Sequence, residues 1–434
     1  MVVLRLVTVS LGPWRRPHAE LKELAFVFFS LPAMVVAASC SPLPQEIIDQ
    51  ITDELQEDFS TLKACALVSR SWKESSQRHI FSDIFLEAPS EPLPLEMSPC
   101  HTFHRLLTTS PHLGRHVRHL EICDEGRTSD STRRWLLASV EILMSVISLL
   151  TCLSSVDISF SGLWWEDVLS IKNVLVAIFQ LESLRSVTLE DFQVRLNELF
   201  SLLRSRSICD LSISAIEVLP DLFPPSPRFS MPLHELSLSL QHIQHAQDFM
   251  EWLISPTSVV DLSVSKKLSL SVANSDEANA AQVLLENPIL QNPDILEIQT
   301  LNCSVHMPHR REECLPPRFS RFRHVQLRLV EALACEHCGN SLLDIVLWWT
   351  RSFEAIQDSN IEEISLTLTK RSASRFHHVP NYVWHALDAA LCRPKMSSLR
   401  SVHLKVEDLE IDKALLLRLL QAFPILYHRG LLRV

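Results

Sequence analysis

The sequence predicts an α/β chain, α+β overall: a small three-helix module followed by an irregular strand/helix solenoid. Three observations predict it. Apolar residues recur every four positions from Leu43 to Leu55, the spacing of one helix face. Beyond residue 100, short alternating strands and amphipathic helices take turns to the end of the chain. Hydrophobic residues make up 47% of the 434, enough for a sizeable core and too many for a disordered chain.

Residues 1–40 stand apart. Arg15, Arg16 and Lys22 precede an apolar run from Leu24 to Ala38, interrupted by Pro32. The order resembles the basic and apolar regions of a signal peptide, ending in Ala37-Ala38-Ser39. The run is short for a bilayer span, and the odd, sparse cysteines do not suit secretion. Residues 1–40 are therefore expected to be a poorly ordered extension or a gene-model error, with Met34 as the natural start. No membrane partner is expected.

Residues 41–87 read as the helical module. Pro44 suits the first turn of a helix, where its missing N–H is not needed. Glu46 and Asp49 favour the positive end of the helix dipole, and Leu43, Ile47, Ile51 and Leu55 form one apolar stripe. Ser60 can cap a second helix, Thr61 to Val68, burying Leu62, Cys65 and Val68. Ser69 or Ser71 can cap a third, with capping-box spacing from Ser71 to Glu74. That helix carries Trp72 and ends near Phe81. Three short helices make a thin core, and a unit this small usually needs outside support. Apolar residues left over after self-packing would form a docking face.

The pattern is specific in its details: Leu43-Pro44-x-Glu46-Ile47-Ile48, then Leu62-x-x-Cys65-x-Leu67-Val68-Ser69-Arg70-x-Trp72, then Arg78-x-x-Phe81. In spacing and residue type it resembles an F-box of the form common in fungal proteins. About 44 of the 434 residues carry the likeness. The resemblance implies docking onto a Skp-type adaptor, which links to a cullin scaffold and a ubiquitin-transferring machine. Carried over residue by residue, the adaptor-facing positions are Leu43, Pro44, Ile47, Ile51, Leu55, Leu62, Cys65, Val68 and Trp72.

Pro89, Pro92, Pro94 and Pro99 mark residues 88–100 as a linker. Over residues 101–434, strands are expected at His116–Ile122, Leu153–Phe160, Leu184–Asp191, Ile208–Ser214, His234–Leu240, Val259–Ser263, Ile295–Leu301, His324–Val330, Ile361–Leu368 and Leu399–Val406. Several share a frame, as in Leu153-Ser-Ser-Val-Asp-Ile, Leu184-Arg-Ser-Val-Thr-Leu, Leu233-His-Glu-Leu-Ser-Leu and Leu399-Arg-Ser-Val-His-Leu. Helices are expected between them, at Arg134–Leu150, Trp165–Leu181, Val194–Arg204, Ala246–Ile254, Asp276–Glu286, Leu342–Ile356, Tyr382–Cys392 and Lys413–Phe423. Strand-then-helix repetition implies right-handed crossovers and a parallel sheet. The irregular period and the framing leucines read as leucine-rich-repeat-like, though the usual Asn or Cys after the strand is mostly missing. An α/β barrel is the competing architecture; ten strand candidates rather than eight speak against it.

Composition narrows the chemistry. Lys plus Arg total 40 against 51 acids, a net charge of −11, so no nucleic-acid partner is expected. Only six glycines occur, none within ten residues of another. A dinucleotide fingerprint, a P-loop and a nucleophile elbow each need clustered glycines, so none exists here. His-Glu-x-x-His is absent, since position 238 after His234-Glu235 is leucine. The 11 cysteines are expected to be reduced and mostly buried. One Cys-x-x-Cys, Cys335 to Cys338, could bind zinc with Cys314, His306, His309 or His324, but no second pair supports it. The pairs His101/His104, His242/His245 and His377-His378 are expected to be solvated or core histidines. Neither catalysis nor a cofactor or metal is expected.

Binding is the remaining class. An open array presents a strand face for extended contact, with Asp157, Glu190, Asp191, Arg328 and Lys405 as candidate contacts and Pro220–Pro232 as a surface loop. Trp164-Trp165 and Trp348-Trp349 are either anchors or core. The resemblance implies a substrate-recognition subunit of a Skp–cullin–F-box ubiquitin ligase, in the cytoplasm or nucleus. The sequence does not name its target. The alternative is a repeat scaffold that binds a partner without feeding degradation.

Overall fold

The computed structural model describes residues 43–87, 97–124, 134–163, 171–195, 207–219, 231–240, 246–255, 260–272, 275–290, 293–301, 319–330, 341–369, 379–407 and 413–434, together with residues 199, 243, 258 and 376. The chain is mixed α/β, built on parallel strands, and divides into two compact units at Thr188/Leu189. Residues 1–40, Trp164-Trp165, His242, His245, His377-His378 and the Cys335/Cys338 pair with Cys314, His306 and His309 lie outside the described residues. Among the described residues no helix is long and apolar enough to cross a membrane.

In the first unit, helices α1 (Gln45–Glu54), α2 (Phe59–Cys65) and α3 (Arg70–Ile80) form the expected module. It runs directly into a strand, β1 (Asp83–Glu87), which pairs in parallel with β2 (His119–Cys123). β2 pairs in turn with β3 (Ser155–Leu163). Behind these strands lie α4 (Pro99–Thr109), a 3-10 helix at Pro111–His116, α5 (Arg134–Ala138), α6 (Val140–Leu149) and α7 (Lys172–Phe179).

Two expectations change here. The end of the Pro-rich linker is the start of α4, because Pro99 occupies its first turn and Ser98 Oγ accepts from the His101 N–H at 3.4 Å. A proline read as a breaker is here a helix starter. The single helix expected over Arg134–Leu150 is interrupted at the buried Ser139.

In the second unit one parallel ladder runs β5 (Asp210–Ser214), β8 (Glu235–Ser239), β10 (Lys267–Val272), β11 (Ile295–Leu301), β12 (His324–Val330), β13 (Glu363–Leu368), β14 (Ser401–Val406), β15 (Leu432–Arg433). Among the described strands it does not close on itself, as a barrel would require. Helices α8 (Ala246–Leu253) and α9 (Ser275–Glu286) pack together, as do α10 (Ser341–Ala355) and α11 (Asn381–Leu391). The chain ends with α12 (Lys413–Ala422) and α13 (Pro424–His428) before β15. Buried Asp388 of α11 caps α13 from a distance, accepting the Ile425 N–H at 2.7 Å and the Leu426 N–H at 3.0 Å.

The shared frame explains the packing. Its three apolar positions are buried at Leu153/Val156/Ile158, Leu184/Val187/Leu189, Leu233/Leu236/Leu238 and Leu399/Val402/Leu404. In register they build apolar rungs, one running from Leu211 on β5 to Val402 on β14. The intervening residues build polar rungs, one running from Ser212 to His403. Just ahead of nine of the described strands one carbonyl accepts two N–H groups from the next repeat. Ser82, Arg118 and Ser154 do so in the first unit; Cys209, His234, Lys266, Asp294, Arg323 and Glu362 do so in the second.

Three strand or helix assignments shift. Of the strand expected at Val259–Ser263 only Val260–Asp261 (β9) is extended, and it pairs with Met231–Pro232 (β7) outside the main ladder. β10 holds the ladder position, and its framing leucine is replaced by buried Ser265, so the pattern is masked there. Val194 and Arg195, expected to start a helix, continue β4 (Ser186–Arg195). The chain passes through a positive φ of 56° at Asp191, and Gln193–Arg195 pair with β6 (Glu217–Leu219).

Candidate docking site

The module is held together by a thin core and a polar clamp. Ile48, Thr52 and Leu62 are buried at its centre. Between α1 and α3, Gln45 Nε2 donates to Ser75 Oγ at 2.8 Å, and Ser75 Oγ donates to Asp49. One turn further, Asp53 Oδ1 meets Arg78 Nη2 and His79 Nε2, each at 2.8 Å. α2 starts one residue before the expected cap. Asp58, not Ser60, is the N-cap, and accepts from the Thr61 N–H at 3.0 Å, Ser60 Oγ at 2.7 Å and Thr61 Oγ1 at 2.6 Å. Ser69 caps α3, and Glu74 pairs with Arg115 at 2.6 Å rather than closing a capping box.

These contacts fix two carboxylates. Hydrogen bonds from Ser75 and then Gln45 hold Asp49 below the usual carboxylate range. Those from Thr61 and Ser60 bring Asp58 down to about 2.

Because α1 turns Gln45, Asp49 and Asp53 toward α3, its apolar stripe points away from its own bundle. Leu43, Ile47 and Ile51 are 52%, 41% and 38% exposed, and the turn after α2 adds Leu67 and Val68 at 69% and 70%. Pro44 is exposed beside them, while Leu55, Cys65 and Trp72 are half-buried. Leu62, the ninth position expected to face an adaptor, is fully buried and belongs to the core instead. Leu67 is a further exposed apolar residue, outside the four-residue spacing of the stripe and next to Val68 in the central motif.

Elsewhere the candidates resolve into ordinary roles. Trp349 is core, and Trp348 is half-buried on the same helix. Asp157 lies 3.7 Å from His119, and Arg328 pairs with Glu407 at 2.9 Å. His324 lies 3.7 Å from Asp294. Lys405 is exposed on the polar strand face. Among the described residues no group of three or more His, Cys, Asp or Glu could hold a metal ion. A shallow cavity of about 230 Å³, lined by His324, Gln326, Glu363 and Ser365 among others, falls below the roughly 300–1,000 Å³ of small-molecule sites. No family model matches the chain, and no curated protein matches it.

Proposed function

We propose that the chain is the substrate-recognition subunit of a Skp–cullin–F-box ubiquitin ligase. One observation carries the reading: α1 meets its own bundle through Ile48, Thr52 and the polar clamp of Gln45, Asp49 and Asp53, and leaves Leu43, Ile47 and Ile51 on the outside. A helix that packs only on its own domain buries its apolar stripe, so the opposite orientation marks a surface completed by another polypeptide. Each aliphatic side chain covered there contributes on the order of 1 kcal/mol. The F-box motifs of the sequence name that polypeptide as a Skp-type adaptor.

The strand/helix part acts as a leucine-rich-repeat-like solenoid and selects the target, its polar strand face offering hydroxyl, amide and charged groups for extended contact. The chain performs no bond-breaking step. It works by proximity, raising the effective concentration of a target near the transfer enzyme.

Replacing Leu43 and Pro44 together by Ala is expected to weaken adaptor binding by about 2–4 kcal/mol, read by co-purification and titration. Adaptor retained by the double variant as well as by the wild type would refute the assignment. A captured target that fails to accumulate when the cullin is inhibited would make the chain a non-degradative scaffold.

A further inference from the structure

The polar strand face of the second unit holds a hollow that the ladder itself does not fill. It lies across β11, β12 and β13, where two successive rungs read Ile295, His324, Glu363 and Glu297, Gln326, Ser365. Ile295, His324, Val325, Gln326, Glu363 and Ser365 line it, and its volume is about 230 Å³. That is about eight times the roughly 30 Å³ of one water in the liquid, the room of a single long side chain. Ser365 is 5% exposed, and its hydroxyl has no hydrogen-bond partner among the described residues. A hydroxyl so deeply placed calls for a polar ligand. The carboxylates beside the hollow lack fixed counter-charges. Lys267, the register partner of Ile295, lies 3.3 Å from Glu235, and Arg328 pairs with Glu407 at 2.9 Å. Arg400 pairs with Glu362 at 3.1 Å, and Arg323 alternates to the other side of its strand from His324. Lys405 stands four residues up β14 from Ser401, the register partner of Glu363, about 13 Å along the strand. Glu297 and Glu363 therefore have no Lys or Arg partner among the described residues; Glu363 lies 3.5 Å from His403, while His324 is turned to Asp294 at 3.7 Å.

We propose that this hollow receives an arginine or lysine side chain of the target. The proposal rests on reading the polar strand face as the target-selecting surface. The methylenes of the incoming side chain lie against Ile295, and its cationic head meets the Glu363 carboxylate and donates to the Ser365 hydroxyl and the Gln326 carbonyl. Arginine fits better than lysine, because its planar fork donates in two directions at once. An acidic side chain would be repelled by Glu363, and an apolar one would leave Ser365 unpaired.

Retention of the full chain on pools of short immobilised peptides tests it, each pool with one fixed central residue type and degenerate flanks. The arginine and lysine pools are expected to hold the chain about ten-fold more tightly than the alanine pool, as for one charge-assisted contact. Glu363→Gln is expected to remove that preference. Gln326→Lys sets a cation at the mouth of the hollow from an exposed position, which spares the core, and is expected to do the same. Asp358→Asn makes the same charge change as Glu363→Gln at an exposed turn and is expected to leave the preference intact. A basic preference that survives Glu363→Gln and Gln326→Lys, or that Asp358→Asn removes equally, overturns the proposal. So does the absence of any preference, or tighter retention on acidic or apolar pools. A preference lost with Glu363→Gln and Gln326→Lys alone, in a chain that binds no purified Skp-type adaptor, upholds the hollow and defeats the ligase reading.

Discussion

At Gly114 an added Cβ would lie 2.3 Å from the Leu149 carbonyl oxygen, so the 3-10 helix reaches the end of α6 only because no side chain intervenes. Gly114→Ala must push backbone from backbone, and we expect a loss of about 1–3 kcal/mol, measured as a shift in the urea midpoint. The two lowered carboxylates each contribute stability that acid removes. Their folded pKa values lie below the unfolded ones, so the stability they contribute is fully present above the unfolded value near 3.8. It is lost as pH falls through the folded values, about 2 for Asp58. Far-UV circular dichroism is expected to show helix loss in this window, and Asp49→Ala with Asp58→Ala is expected to remove that part of the acid transition. His116 acts at milder pH. It is buried, with no partner for Nε2 among the described residues, and burial lowers its pKa, so folding favours the neutral ring. Stability therefore declines as pH falls below about 6.5.

At the level of elements, α1 is the clearest case of a pattern with two meanings. The four-residue spacing of Leu43, Ile47, Ile51 and Leu55 announced an amphipathic helix, and the helix is there. Spacing alone does not say which way the stripe points. That was decided by Gln45, Asp49 and Asp53 finding partners on α3, a match of polar residues some 25 to 30 positions apart. A split in behaviour follows. Leu62→Ala, in the core, is expected to lower stability by about 2–5 kcal/mol. Ile47→Ala, on the surface, is expected to change it by less than about 1 kcal/mol while weakening adaptor binding. Thermal melts and adaptor titrations of the same two proteins check both halves.

The strands were legible where the apolar alternation was unbroken, even with Pro293 or Phe322 at the framing position. Ile295–Leu301 and His324–Val330 fall where the alternation put them. β10 was not legible because Ser265 occupies the framing position, and β1 because Asp83–Glu87 lies inside the stretch whose pattern reads as the end of the helical module. The start of α4 was hidden by a proline that serves as its first residue. The polar strand face could be anticipated in kind, but its partner could not, since serines and mixed charges along a rung carry no single chemistry.

At the level of the molecule, Phe81 closes α3 and also frames β1, and the Ser82 carbonyl is the first of the doubly accepting carbonyls. The helical module is thus continuous with the sheet of its own unit, with Glu74 and Arg115 as a further tie. An adaptor held on α1 would be held at a fixed place relative to β1 through β3, a useful property for a subunit that works by positioning. On this reading α1 offers its stripe to an adaptor. Amide hydrogen exchange of the full chain with and without a purified Skp-type adaptor reads this directly. We expect slowed exchange confined to residues 45–55 and the turn at 66–69. Unchanged exchange in both segments at saturating adaptor, or protection only in the strand/helix part, would contradict the account.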